Sequence, residues 1–413
     1  MDRRRVLGVA VAVLFVTAGC QAPTNTATGD AATDAPTTER ATEATTQTNT
    51  TGTNDGPAES TEFVTVTDDL PYDVAPIYRR TGRLLGLDQP SWPHTVVAVK
   101  EPPEGGSIGQ ASTSGFTNLV GIEPLPSAGE DGGVVTGAVT RGTDVTLFDH
   151  PNASAAFQQR ILAHEFVHVF QTELPVRAAV DELDLRRNRA FLKGAMTEGS
   201  AEYVQERYGI EYQNVTLNQT AIPERWTNAS AYVRYRIAPY EYGSRYFAMR
   251  LDDASGVVDV YENPPRTTEQ LLHGYAPDGE RAKELTVEAN ASESEFDVLG
   301  GGRTKGELFA RLALSSELEF ERAADAAAGW GMDRLVYFRD DSGNDAYAWV
   351  LRWDDASEAT EFGDAFADYD AGNEEQFRLA SVSDETVVVF AGADSFVENA
   401  AAAGNTSDVT VRA

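Results

Sequence analysis

The chain has 413 residues, 41% of them apolar, enough for a sizeable core and two or three compact units. Acidic residues number 65 against 33 basic ones, a formal charge of −32; this surface repels phosphates and carries no basic patch, which excludes a nucleic-acid partner. A single cysteine, Cys20, excludes a disulfide framework and a cysteine-ligated metal in the folded part.

The first twenty residues predict export. Arg3-Arg4-Arg5 precedes an apolar run from Val6 to Val16, too short for a membrane span but suited to a signal peptide, and Thr17-Ala18-Gly19-Cys20 follows. Small residues before a cysteine resemble a lipobox, with Cys20 as the lipidated residue after cleavage. Arg3-Arg4 ahead of Val6-Leu7 resembles a twin-arginine signal. The expected location is the outer face of the cell membrane, with a lipid anchor at Cys20. Residues 21–62 hold almost no large apolar side chain, so they cannot offset the entropy of ordering and predict a disordered, Thr-rich tether. Asn-x-Ser/Thr sequons at Asn49, Asn152, Asn214, Asn218, Asn228, Asn290 and Asn405 fit a glycosylated surface protein.

Folded sequence is expected from residue 63. Tyr72 to Leu85 has helical periodicity behind Pro71. Thr95 to Lys100, Val134 to Val139 and Thr143 to Phe148 predict the strands of one small sheet, separated by Gly-rich loops. Asn152 to Leu174 predicts a long helix closed by Pro175. Phe191 to Tyr208 predicts a second, interrupted at Gly194 and Gly199. Further helices are expected over 232–251, 267–272, 304–314 and 318–328. From residue 329 the order becomes β-β-α-β-β-α, beginning with Arg334–Arg339 and Ala346–Trp353 around the turn residues 341–344. The fold class is therefore α+β: a mainly helical domain over 63–328 with a small N-terminal sheet, and a C-terminal α+β unit over 329–413. Trp330, Trp349 and Trp353 in that unit are expected to pack in the core.

Chemistry concentrates in His164-Glu165-Phe166-Val167-His168. Positions i and i+4 put both imidazoles on one helix face, within reach of a single Zn²⁺. Glu165 lies about 100° around the helix, able to reach a water rather than the metal. Ile161, Leu162, Phe166, Val167, Val169 and Phe170 are apolar, so this helix is expected to be buried nearly all round, and buried ionisable groups need a partner or a metal. The pentapeptide alone arises by chance in roughly one chain in two hundred. A third ligand makes it specific, and Thr197-Glu198-Gly199-Ser200-Ala201-Glu202-Tyr203 supplies one.

The pair of motifs resembles the gluzincin branch of zinc metallopeptidases. The resemblance implies Glu198 as third zinc ligand, Glu202 as the carboxylate that orients His164, and a zincin-like fold for residues 63–328. Thr197 stands where that pattern commonly has Asn, and the gap between the motifs is longer than usual. Gluzincins often stabilise the oxyanion with Tyr or His, which makes Tyr242, Tyr246 and His273 candidates. Packed aromatics and a helix-ending histidine are the plainer readings of those three. The blocks Pro239–Gly243, Pro264–His273 and Ala328–Arg334 also resemble a group of haloarchaeal and bacterial surface proteins. The acidic balance, with four lysines in the whole chain, likewise resembles proteins of halophilic archaea.

The expected function is a lipid-anchored, zinc-dependent hydrolase, most simply a metallopeptidase acting on peptide or protein, with Glu165 as general base. The alternative is a non-catalytic surface protein on the same scaffold.

Overall fold

The computed structural model describes residues 15–18, 63–88, 92–101, 115–123, 134–150, 153–176, 189–291, 294–373 and 375–413. Cys20, most of the leader and the Thr-rich tether lie outside the described residues, as do Asn49 and Asn152. The chain is a mixed α+β protein, as its sequence pattern predicts.

The N-terminal sheet runs in the order β1-β4-β5-β3-β2. Its members are β1 (Phe15–Ala18), β2 (Val64–Val66), β3 (Thr95–Lys100), β4 (Val134–Arg141) and β5 (Asp144–Phe148). The strand β1 comes from the predicted leader and lies parallel to β4; β4 and β5 form an antiparallel hairpin. Helix α1 (Ala75–Leu84) follows β2, with Pro at its first turn. A single turn of helix, α2 (Phe116–Leu119), precedes β4.

Helix α3 (Ala155–Phe170) starts at Ser154, whose side chain accepts from the Phe157 amide. From Ile161 onward every residue of this helix is buried. It packs against α1 on one side and β4 on another. Tyr78 of α1 stacks on Phe170 with ring centroids 4.7 Å apart and meets Phe166 edge-on at 5.0 Å. A hydrophobic helix with charged groups facing inward is thereby fixed in rotation.

The second helical segment is α4 (Arg189–Gly194), a π-helical turn (Ala195–Gly199) and α5 (Ser200–Gln213). After α6 (Glu224–Thr227) comes α7 (Ala231–Arg250), capped by Ser230 and carrying Pro239 in its interior. The π turn and α5 pack on α7, and α5 packs on α3, so three helices enclose the candidate site. Helices α8 (Val257–Glu262), α9 (Thr268–His273), α10 (Gly306–Leu314) and α11 (Phe320–Asp325) complete the helical layer. No helix among the described residues is long and apolar enough to cross a membrane.

The C-terminal unit holds an antiparallel sheet in the order β10-β11-β9-β8-β7. The expected hairpin is β8 (Trp330–Asp340) with β9 (Asp345–Trp353), and Asp340 closes its turn by accepting from the Ser342 and Asn344 amides. Helix α12 (Ala356–Gly372), β10 (Phe377–Ser381), β11 (Thr386–Gly392) and α13 (Asp394–Asn399) follow in the expected order. Two features depart from the expectation. The edge strand β7 (Phe296–Arg303) reaches back past residue 329. Beyond α13, β12 (Ala401–Gly404) and β13 (Asp408–Arg412) form a second small sheet with β6 (Thr286–Asn290).

Trp330, Trp349 and Trp353 are buried, as expected. Two of them also hold a carboxylate. The fully buried Asp333 accepts from the indole N–H of Trp330 (3.0 Å) and Trp349 (2.9 Å), and from the amides of Lys305 (2.8 Å) and Gly306 (2.7 Å). Four donors converge on one side chain that joins β8, β9 and the start of α10. Replacing Asp333 with Leu would strand all four. The expected cost is about 3 kcal/mol or more, read as a lower urea midpoint at unchanged m. A loss under about 1 kcal/mol would mean that the donors find other partners.

Candidate metal centre

The first half of the centre is set by α3. His164 and His168 sit one turn apart with ring centroids separated by 4.9 Å. The second half comes from the π turn, which carries Glu198. Glu198 Oε2 lies 3.2 Å from His168 Nε2 and 3.6 Å from His164 Nε2. Two ligands about 2.05 Å from one tetrahedral zinc stand about 3.3 Å apart, so these separations suit a shared ion. All three residues are buried, and their donor atoms lie within 4.8 Å of one another. His164 Nε2 and Glu198 Oε2 are buried without a hydrogen bond, an arrangement that is costly unless a cation completes it. The donor set and its spacing fit a Zn²⁺ ion.

The same groups are coupled electrostatically. Burial alone would raise the pKa of Glu198, but the imidazoles of His168 and His164 outweigh it and bring it down to about 2. Burial alone would lower the pKa of His164, but Glu198 and Glu202 raise it overall. The cluster thus keeps an anionic carboxylate among imidazoles.

Glu202 lies one turn beyond Glu198. Its Oε2 is 3.5 Å from His164 Nδ1, so each ring nitrogen of His164 faces one glutamate. The gluzincin resemblance implies that a carboxylate here orients His164. Tyr240 covers a face of the same imidazole, nearly parallel at 17° and 6.1 Å between centroids. A cavity of about 470 Å³ is lined by Glu202, Tyr240, Glu206 and Glu241, among others, and by none of the three donors. Burial, reinforced by Glu202, raises Glu206 to about 8 and Glu241 to about 7.

Glu165 is fully buried and lies outside the donor set. Thr140 of β4 donates to its Oε2 at 2.5 Å, and Oε1 has no hydrogen-bond partner. Burial raises its pKa, against the pull of His168, His164 and Thr140. A carboxylate anchored by one oxygen and unpartnered at the other, next to a group of residues that could hold a metal, has the chemistry to exchange a proton.

The position of Glu198 depends on how closely two helices approach. A Cβ at Gly199 would stand 2.4 Å from the Gly243 Cα, and one at Gly243 would stand 2.7 Å from both the Ala195 carbonyl oxygen and the Gly199 Cα. The π turn and α7 therefore meet backbone to backbone at two glycines. Single π turns inside helices are frequent at functional sites, and this one carries Glu198.

Tyr242, Tyr246 and His273 are not brought to the centre. Tyr242 lies edge-on to Trp226 at 5.2 Å, Tyr246 donates to the Tyr275 carbonyl at 3.3 Å, and His273 pairs with Glu307 at 3.0 Å. The reason is helical geometry: Tyr242 and Tyr246 lie about 200° and 240° around α7 from Tyr240, the residue that faces His164. Sequence reasoning missed Thr140, Gln171, Tyr240 and Tyr261. Gln171, three residues after His168, had a readable spacing, and Tyr240 sat inside a block already singled out. Thr140 and Tyr261 carried no local signal.

Two sequence families match parts of the chain. Residues 129–175, which span β4, β5 and α3 with Thr140, His164, Glu165 and His168, match the eCIS core domain. Residues 297–413 match a domain of unknown function, DUF8575. No curated protein and no solved structure shows significant similarity to the chain.

Proposed function

We propose that this chain is a zinc-dependent hydrolase, best suited to cleaving peptide bonds, with His164, His168 and Glu198 as ligands and Glu165 as general base. The observation that carries the reading is Glu165. It is a buried carboxylate outside the three-residue donor group, held by Thr140 through one oxygen and without a hydrogen-bond partner at the other. A scaffold kept only for binding metal has no use for it. Bound zinc would supply Lewis-acid polarisation of a scissile carbonyl and acidify a water molecule to a pKa near 7. Glu165 would take the proton of the attacking water and return it to the leaving amine. Glu202 and Tyr240 would hold the His164 ring in place meanwhile. The strand β4 supports a peptide as substrate, because it passes Glu165 and its outer edge already accepts an extended segment, Phe15–Ala18.

The site would act outside the cell. The leader and Cys20 support export and lipid anchoring, and the acidic, Lys-poor composition supports a saline setting. The test is zinc stoichiometry together with cleavage of casein and a peptide library in concentrated salt. Near one equivalent of zinc is expected, with cleavage abolished by chelator and restored by zinc. His164→Ala should retain no stoichiometric zinc. A zinc-loaded chain that cleaves nothing would leave a binding scaffold as the better reading.

A further inference from the structure

The two ligand histidines are oriented by different chemistry. His164 Nδ1 faces the carboxylate of Glu202 at 3.5 Å, whereas His168 Nδ1 lies 2.9 Å from the side-chain oxygen of Gln171. An amide oxygen only accepts, so His168 donates from Nδ1 and leaves the Nε2 lone pair aimed at Glu198 and the metal position. The Gln171 amide orientation is fixed independently. Its nitrogen lies 2.9 Å from the Thr197 carbonyl oxygen, which can only accept, 3.0 Å from the Tyr261 hydroxyl and 3.1 Å from Ser200 Oγ. Ser200 Oγ in turn donates to the Met196 carbonyl (2.7 Å) and lies 2.6 Å from the Tyr261 hydroxyl. Gln171, Ser200 and Tyr261 are all buried, so none of these bonds can be replaced by bulk water.

This network bridges the two halves of the centre. One end of a single side chain holds a ligand of α3. The other end holds the carbonyl of Thr197, the residue immediately before the ligand Glu198. Tyr261, from α8, locks that amide from a third direction.

We infer that Gln171 is the positioning residue that selects the metal-competent tautomer of His168 and registers the π turn so that Glu198 meets it. Gln171 acts through His168 and Thr197 and is not itself a ligand. The inference rests on the metal-site reading and is independent of whether the centre hydrolyses anything.

Two measurements test it on the intact chain. The first needs no variant. In the zinc-loaded protein, ¹⁵N chemical shifts should show His168 protonated at Nδ1 and coordinating through Nε2. The opposite tautomer overturns the inference. The second is zinc affinity by competition with a chromophoric chelator. Gln171→Leu should weaken zinc binding about 10–100-fold, the usual cost of losing a group that orients a ligand. Tyr261→Phe, which removes one anchor of the amide, should weaken it by a smaller factor. Gln171→Glu restores the acceptor for His168 but sets an oxygen against the Thr197 carbonyl, so it should recover the tautomer but not the full affinity. A purely structural Gln171 would lower the unfolding temperature of Gln171→Leu and leave zinc affinity within twofold of the parent, which also overturns the inference. Gln171-dependent zinc binding without any peptide cleavage would remove the hydrolase reading and leave this one standing.

Discussion

Glu165→Gln is expected to lower the rate of peptide cleavage about 10²–10⁴-fold while zinc stays near one equivalent. The amide matches the carboxylate in shape and keeps an oxygen to accept from Thr140, so the local packing survives. What disappears is the basic oxygen that would receive the proton. The three proposed ligands are untouched, because Glu165 lies outside the donor set. Stability gives a second, independent sign. Burial raises the pKa of Glu165, which means the ionised form is uncomfortable there. A neutral amide should therefore leave the unfolding temperature unchanged or slightly higher. Loss of activity without loss of stability or metal is the signature of a reacting group. Residual cleavage within tenfold of the parent would remove Glu165 from the mechanism.

Gly199→Ala is expected to cost roughly 3 kcal/mol of stability and to remove high-affinity zinc binding. The added methyl would stand 2.4 Å from the Gly243 Cα, and a backbone atom cannot step aside as a flexible side chain would. Relief requires the π turn to move away from α7, and Glu198 immediately precedes Gly199 on that turn. Gly243→Ala meets the Ala195 carbonyl oxygen and the Gly199 Cα and should act in the same direction. Gly363→Ala is the control. That glycine lies within α12, and its added methyl would find only Leu379 at 3.7 Å. It should stabilise by about 0.5–1 kcal/mol through helix propensity and leave zinc untouched. Zinc titration and urea unfolding of the three variants decide the matter. A zinc affinity of Gly199→Ala equal to that of the parent would show that Glu198 is held by something other than this crossing.

The helix bearing His164 and His168 was legible because its chemistry obeys a fixed spacing and its flanks are apolar without interruption. Glu198 and Glu202 were legible through the resemblance of the Thr197–Tyr203 segment to the gluzincin pattern, and the structure brings both to His164. The π turn was half visible. Gly194 and Gly199 read as interruptions of a helix, but a sequence does not say that the backbone widens there to admit a neighbour. The face of α7 was not legible, because buried residues lie around much of its circumference, from Ala231 and Arg234 to Tyr242, Tyr246 and Phe247. Without an apolar stripe, nothing distinguished Tyr240 from Tyr242. Strands β6 and β7 escaped for a related reason. The first alternates between exposed and half-buried positions, and the second is largely exposed and rich in glycine, so neither shows a hydrophobic period. The last helix, expected near Ser395 to Ala402, ends at Asn399, and Ala401–Gly404 form an edge strand instead.

The last strand, β13, runs parallel to β6, pairing Asp408 with Thr286 through Arg412 with Asn290. Val409 and Val411 are buried there. Residues 286–290 lie upstream of the segment that matches DUF8575, so the borders of the sequence family and of the folding unit do not coincide. A gene fragment cut at residue 297 would leave β13 with its β6 edge bare and two valines uncovered, an invitation to stick to its copies. The portable piece of this protein, for recombination in the laboratory or in a genome, begins no later than Thr286.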